Sequence, residues 1–134
     1  MAVDRGARSV NIHLDTHVAV WIAAGQKRKL RAVEATLRRG TMFISPLVIV
    51  ELELLREIGR IHQPVDRVLE ILMSDHGISE AAGDVGAVAH QARLLGWTRD
   101  PFDRFIVAHA LACRATLLTA DETIRKHCSQ ALWQ

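Results

Sequence analysis

Five carboxylates in this 134-residue chain stand at positions suited to chemistry. Asp15 closes an apolar stretch, Asp121 follows another, Asp100 and Asp103 open a helix, and Glu51 falls on the inward stripe of a further helix. Acids that follow parallel strands share one sheet edge, the edge at which open α/β sheets bind ligands. Four or five carboxylates gathered there cannot all ionise unaided, because each raises the pKa of the others. A hard divalent cation resolves the conflict, and donors that are all oxygen point to Mg2+ or Mn2+ rather than Zn2+. The plainer readings are that Asp100 and Asp103 cap a helix, that Asp15 merely ends a strand, and that Glu51 pairs with a buried arginine.

The surrounding elements must put these side chains in place. In RDPFDRFIVAHALACRATLLTAD (Arg99 to Asp121), Asp100 is a good N-cap, Pro101 suits the first helical position, and Asp103 falls at N3. Ile106, Val107, Ala110 and Leu111 then recur at helical spacing, which predicts one buried face up to about Ala112. Thr116 to Thr119 predicts a short buried strand that ends just before Asp121. Near the start, Val10 to Leu14 alternates as a strand and stops at Asp15, with Thr16 as a plausible cap for the next helix. Ser45 and Pro46 repeat the cap-then-proline start, and a helix from Pro46 to about Ile58 places Leu47, Val48, Leu54, Leu55 and Ile58 on one stripe with Glu51 in its middle. An ionised carboxylate there costs roughly several kcal/mol unless a cation or hydrogen-bond donors compensate it.

The remaining chain supplies further alternating elements. Val18 to Ala24 predicts a short helix around Trp21, broken at Gly25, and Arg28 to Arg39 a basic amphipathic helix with Leu30, Val33 and Leu37 inward, ended by Gly40. Its polar face is either simply solvated or touches a phosphate backbone. Thr41 to Ile44 predicts a second strand and Val65 to Met73 a helix; an extended piece begins at Ile78, and an Ala-rich helix runs from Ser79 or Glu80 to about Leu95. A last helix passes through Ile124 and His127. Strands alternating with helices predict an α/β fold, a parallel sheet with helices on both faces.

Composition sets the outer limits. The length fits one domain, here residues 10–134 behind a frayed arm of residues 1–9, and 49% hydrophobic with 24% charged residues is ordinary for a soluble globular chain. Apolar runs fall far short of the ~20 residues of a membrane span, and Met1 to Ser9 lacks the apolar core of a secretory signal, so the expected location is the cytoplasm. Cys113 and Cys128 fit free thiols in a reducing compartment, and the seven histidines show no ligand spacing, so each is expected to be structural or exposed. Net charge is only +2, yet with the five acids set around a cation the remainder carries 17 basic against 10 acidic groups, a usable surface for a polyanion.

Four stretches in order, LDTHVAVW (Leu14 to Trp21), ISPLVIVELELLREIGRI (Ile44 to Ile61), RDPFDRFIVAHA (Arg99 to Ala110) and LLTADETI (Leu117 to Ile124), resemble the PIN-domain family and, within it, VapC-type toxins. The resemblance implies a three-layer α/β/α sandwich around a parallel sheet, an endoribonuclease dependent on Mg2+ or Mn2+, a homodimer, and a cognate antitoxin whose tail occupies the site. Carried over by position, it makes Asp15, Glu51, Asp103 and Asp121 the acidic set, with Asp100 as an extra acid. Asp15, Asp100 and Asp103 would hold the metal, Glu51 and Asp121 would orient water or a second ion, and Thr16, Thr119 and Arg104 would support them, Arg104 by pairing with a carboxylate or contacting phosphate. The metal would activate a water for in-line attack and leave 5′-phosphate and 3′-hydroxyl ends. Two other readings stand beside this one. A catalytically inactive RNA-binding or scaffold domain would retain the fold, and a phosphoacceptor domain would want a lysine near the last strand, where only Lys126 lies nearby.

Overall fold

The computed structural model describes residues 9–134; all of the expected N-terminal arm except Ser9 lies outside the described residues. Ser9 Oγ donates to the Arg39 carbonyl at 3.1 Å and shares a hydrogen bond with Thr41 Oγ at 3.0 Å.

Five strands, all parallel, form one sheet in the order β3-β2-β1-β4-β5: β1 (Val10–Leu14), β2 (Gly40–Ile44), β3 (Ser79–Glu80), β4 (Thr116–Leu118) and β5 (Ala131–Leu132). The chain leaves the central β1 toward β2 and β3, then returns to build β4 and β5 on its other side. That reversal sits between β1 and β4, where sheets of this kind open a crevice beyond their carboxyl ends. The flanking helices are α1 (Thr16–Ala23), α2 (Lys27–Leu30), α3 (Glu34–Arg39), α4 (Pro46–Glu57), α5 (Val65–Glu70), α6 (Val85–Ala92), α7 (Pro101–Ala112) and α8 (Glu122–His127). The expected sandwich with a central parallel sheet is therefore the observed architecture.

Strand alternation sorts the core. Ile12 and Leu14 of β1 are fully buried on one face, while His13 points to the other and meets His109 of α7 edge-on at 5.3 Å. The α7 helix is buried on nearly every side from Phe105 to Ala110, not along one face as its spacing suggested. It is wedged between the main core, which takes Ile106, Val107 and Ala110, and a smaller cluster in which Phe105 and Ala108 meet Val88 and Ala92 of α6. His109 fits there because both ring nitrogens are satisfied, Nδ1 by Ser45 Oγ and Nε2 by the Ala82 carbonyl, each at 2.9 Å.

Several elements differ from the sequence reading for local reasons. The basic helix expected over Arg28 to Arg39 is split into α2, a 3-10 turn over Arg31–Val33, and α3. At Val33 the backbone leaves helical angles (φ −111°, ψ 6°), and its side chain is wholly buried while Leu30 and Leu37 are only half covered. Gly40 ends α3 as expected and, with extended backbone angles, is also the first residue of β2. A Cβ there would sit 1.9 Å from Ile12 Cδ1, so the glycine allows the two strands to close. Ser79 and Glu80 pair with β2 instead of opening a helix, and the Ala-rich helix waits for Asp84, whose carboxylate caps it by accepting from Gly86 and Ala87. The α4 stripe is also turned from the predicted one: Val48 and Leu52 are buried, whereas Leu54 and Ile58 are exposed. Glu51 thus lies on the border of the buried stripe, half covered. Among the described residues no helix is long and apolar enough to cross a membrane.

Candidate active site

At the carboxyl end of β1 the chain turns at Asp15 into α1. The Asp15 N–H donates to the Leu118 carbonyl at 3.0 Å, extending the β1–β4 pairing by one residue, and its side chain caps α1 by accepting from the Thr16 N–H at 2.8 Å. The other carboxylate oxygen accepts from Thr119 Oγ at 2.6 Å. Thr119, wholly buried, accepts in turn from the Asp121 N–H at 3.0 Å, so one hydroxyl fixes the acids beyond both strands. Asp121 caps α8 through Thr123 and Ile124, and Asp100 caps α7 through Phe102 and Asp103. Capping by Asp100 is therefore real. It aims the side chain, and in Asp100 and Asp121 alike it uses only Oδ1. From α4, Glu51 reaches the same place and accepts from Thr16 Oγ at 2.5 Å.

All five acids line one open cleft of about 530 Å3. Asp103 responds most: its carboxyl is pushed up to about 7, first by burial and then by Asp100, Asp15, Asp121 and Glu51. Burial also raises Glu51; the Thr16 hydroxyl opposes that rise, and Asp15 and Asp100 add to it. The donor chemistry fits a hard cation: every acid in the cleft offers oxygen, and a divalent charge would offset both the burial and the repulsion that raise the Asp103 carboxyl. No group of three His, Cys, Asp or Glu side chains among the described residues encloses a metal position by itself. Mg2+ commonly binds with one or two carboxylates and several waters.

The PIN domain family model matches residues 12–129, a span that runs from β1 past α8 and takes in all five acids. The chain belongs to the PIN domain family. PIN domains are generally nucleases. The fold is also similar to a chain in the crystal structure of VapBC2 from Rickettsia felis bound to a DNA fragment from their promoter. That superposition has a TM-score of 0.67 at 20% identity and covers 93% of this chain and 98% of that one. No curated protein sequence matches this PIN domain significantly.

Of the supporting residues expected in this PIN domain, Thr16 and Thr119 touch the acids directly. Arg104 does not. Its guanidinium donates to the carbonyls of Thr98 at 2.8 Å and Arg93 at 3.3 Å, so it braces the loop ahead of Asp100 instead of pairing with a carboxylate. The cleft also contains His17, Trp21 and Arg60, which sequence reasoning passed over, and Lys29 from the basic face whose contact with a phosphate backbone it left open. His17 Nε2 accepts from the Ala120 N–H at 3.0 Å, which leaves its proton on Nδ1, 3.5 Å from Asp15 Oδ2. The only signal for His17 was its place two residues after Asp15. Nothing in the sequence tied Lys29 or Arg60 to the acids.

Proposed function

We propose that this PIN domain is a metal-dependent endoribonuclease that hydrolyses RNA phosphodiester bonds and acts as the toxin of a VapBC-type toxin-antitoxin pair. The observation that carries the reading is the convergence of Asp15, Glu51, Asp100, Asp103 and Asp121 on one cleft, with Asp103 held near a pKa of 7. Asp15, Asp100 and Asp103 are the residues to hold Mg2+ or Mn2+. When bound, the ion supplies a lowered pKa for water and neutralises charge that develops on the phosphate.

The chain's own groups supply the rest. Thr119 and the Thr16 N–H hold Asp15 in one orientation, and the Thr16 hydroxyl turns Glu51 toward the cleft. Glu51 and Asp121 flank the phosphate position and orient the attacking water. No side-chain nucleophile is required, and the products are 5′-phosphate and 3′-hydroxyl ends. The similar Rickettsia felis structure is of VapBC2 with promoter DNA. By that analogy a cognate antitoxin is the protein partner; the family resemblance adds a homodimer as the assembly, and the sequence reading a cytoplasmic setting with the nuclease domain over residues 10–134.

The test is incubation of the partner-free protein with total bacterial RNA in Mg2+ or Mn2+ and in EDTA, with end mapping and with Asp15→Asn as the control. Metal-dependent fragments with 5′-phosphate ends, lost in a folded Asp15→Asn protein, are expected. Cleavage that survives Asp15→Asn overturns the metal assignment, and retained RNA binding without cleavage favours an inactive RNA-binding module.

A further inference from the structure

One wall of the acidic cleft is neither acidic nor simply apolar. Trp21 of α1, partly exposed, is part of its lining, as are Lys29 and Arg60. The indole is held from two sides: His17, one turn earlier, meets it at 4.9 Å between centroids and 61° between planes, and Trp133 meets it at 5.7 Å and 66°. Over the ring stands Lys29 Nζ, 5.2 Å from its centroid. That cover is an exposed, flexible side chain rather than core atoms.

We infer that Trp21 is a stacking shelf for the nucleobase next to the scissile phosphate, with Lys29 and Arg60 as contacts to the neighbouring backbone phosphates. The inference rests on the RNA reading above and adds to it the subsite that holds a flanking nucleotide. Two parts of the lining divide the work. Five carboxylates repel a polyanion unless a cation stands among them, whereas the Trp21 wall offers two positive charges and a flat aromatic face, the usual combination for unpaired nucleic acid. The exchange of Lys29 for a base is favourable. A cation over an exposed ring is worth roughly two- to fivefold in an equilibrium constant, while a base stacked on one aromatic ring is worth roughly 5- to 150-fold. The displaced ammonium then lies beside the phosphate it is to bind. Stacking tolerates every base, so this shelf fixes the position of the strand more than its sequence.

The experiment uses single-stranded RNA of about eight nucleotides, within the range such grooves cover, with one 2-aminopurine moved along the strand. Binding is read in Ca2+ by quenching of its fluorescence, and cleavage of the same strands is followed in Mn2+. At one position the wild-type protein should quench the probe. Trp21→Phe should retain the quenching, and Trp21→Leu should lose it with affinity lowered roughly 5- to 150-fold. Trp133→Phe should retain it, which separates stacking from packing. Lys29→Ala and Arg60→Ala, both at exposed positions, should each reduce the slope of log affinity against log salt by about one. Equal quenching by a folded Trp21→Leu protein, an unchanged salt slope in both cation variants, or no RNA binding by the wild type overturns the shelf. Cleavage indifferent to Trp21 overturns the shelf and leaves the nuclease standing, whereas Trp21-dependent quenching without cleavage does the reverse.

Discussion

Replacing Asp103 with asparagine should make the metal-free protein more stable while removing its activity. The folded carboxyl titrates at about 7 against an ordinary 3.8, so between those values the folded state holds a proton that the unfolded state releases. Stability therefore falls as pH rises through that window. At pH 8 three pKa units correspond to about 4 kcal/mol; Asp103 is only partly buried, and halving for solvent screening leaves about 2 kcal/mol. An amide at this position would not carry that penalty, and among the described residues no donor is hydrogen-bonded to the Asp103 carboxylate to be lost. Urea titration in EDTA at pH 8 should thus show Asp103→Asn more stable by about 2 kcal/mol, roughly 6–10 °C in Tm for a chain of this size. The advantage should shrink to less than half by pH 5 and vanish below pH 4. Mn2+ should raise the Tm of the wild type more than that of the variant. A variant no more stable than wild type at pH 8 in EDTA would refute the electrostatic account of the cleft.

Two further outcomes concern single residues. His13 is buried, its Nδ1 without a partner among the described residues, and burial, then His109, holds its pKa down to about 4. The unfolded state alone takes up that proton below about 6.5, so its contribution is full above that pH and is lost as pH falls toward 4. About 2 kcal/mol should go between pH 7 and pH 5 by urea titration, and His13→Leu should lack that part of the acid sensitivity. At the start of β2, Gly40→Ala should destabilise the fold by roughly 1–3 kcal/mol, since the added methyl overlaps Ile12 and must push β1 and β2 apart; thermal unfolding measures it.

Local chemistry between adjacent residues was readable in advance. Asp100-Pro101 is a start signal written in neighbouring positions and α7 begins where it stands; α1 also starts after Asp15, but the cap is Asp15 itself rather than the expected Thr16, which is the first helical residue. The two-residue strand β5 carries too little pattern to be seen and β3 was legible only as an extended piece from Ile78; both exist because neighbouring strands offer free edges. Periodicity placed Glu51 on an inward stripe but mis-phased it, since α4 packs along Val48 and Leu52 and leaves Leu54 and Ile58 in solvent. Arg104 was legible as important and not as what it is, because its partners are backbone carbonyls without a residue signature. The Trp21, Lys29 and Arg60 wall was invisible for a related reason: three separate segments meet there only after folding.

The bond from Thr119 to Asp15 joins positions 104 apart in sequence, and its consequence lies in how the protein is made. A growing chain exposes Asp15 early and Asp121 late, at a rate of roughly 5–20 residues per second. Until β4 docks beside β1, the acids exist but the edge they form does not. A truncated chain ending before Thr119 should therefore lack the assembled acidic cleft whatever its acids. Weakening that single strand pairing should disperse the acidic cleft without altering any carboxylate.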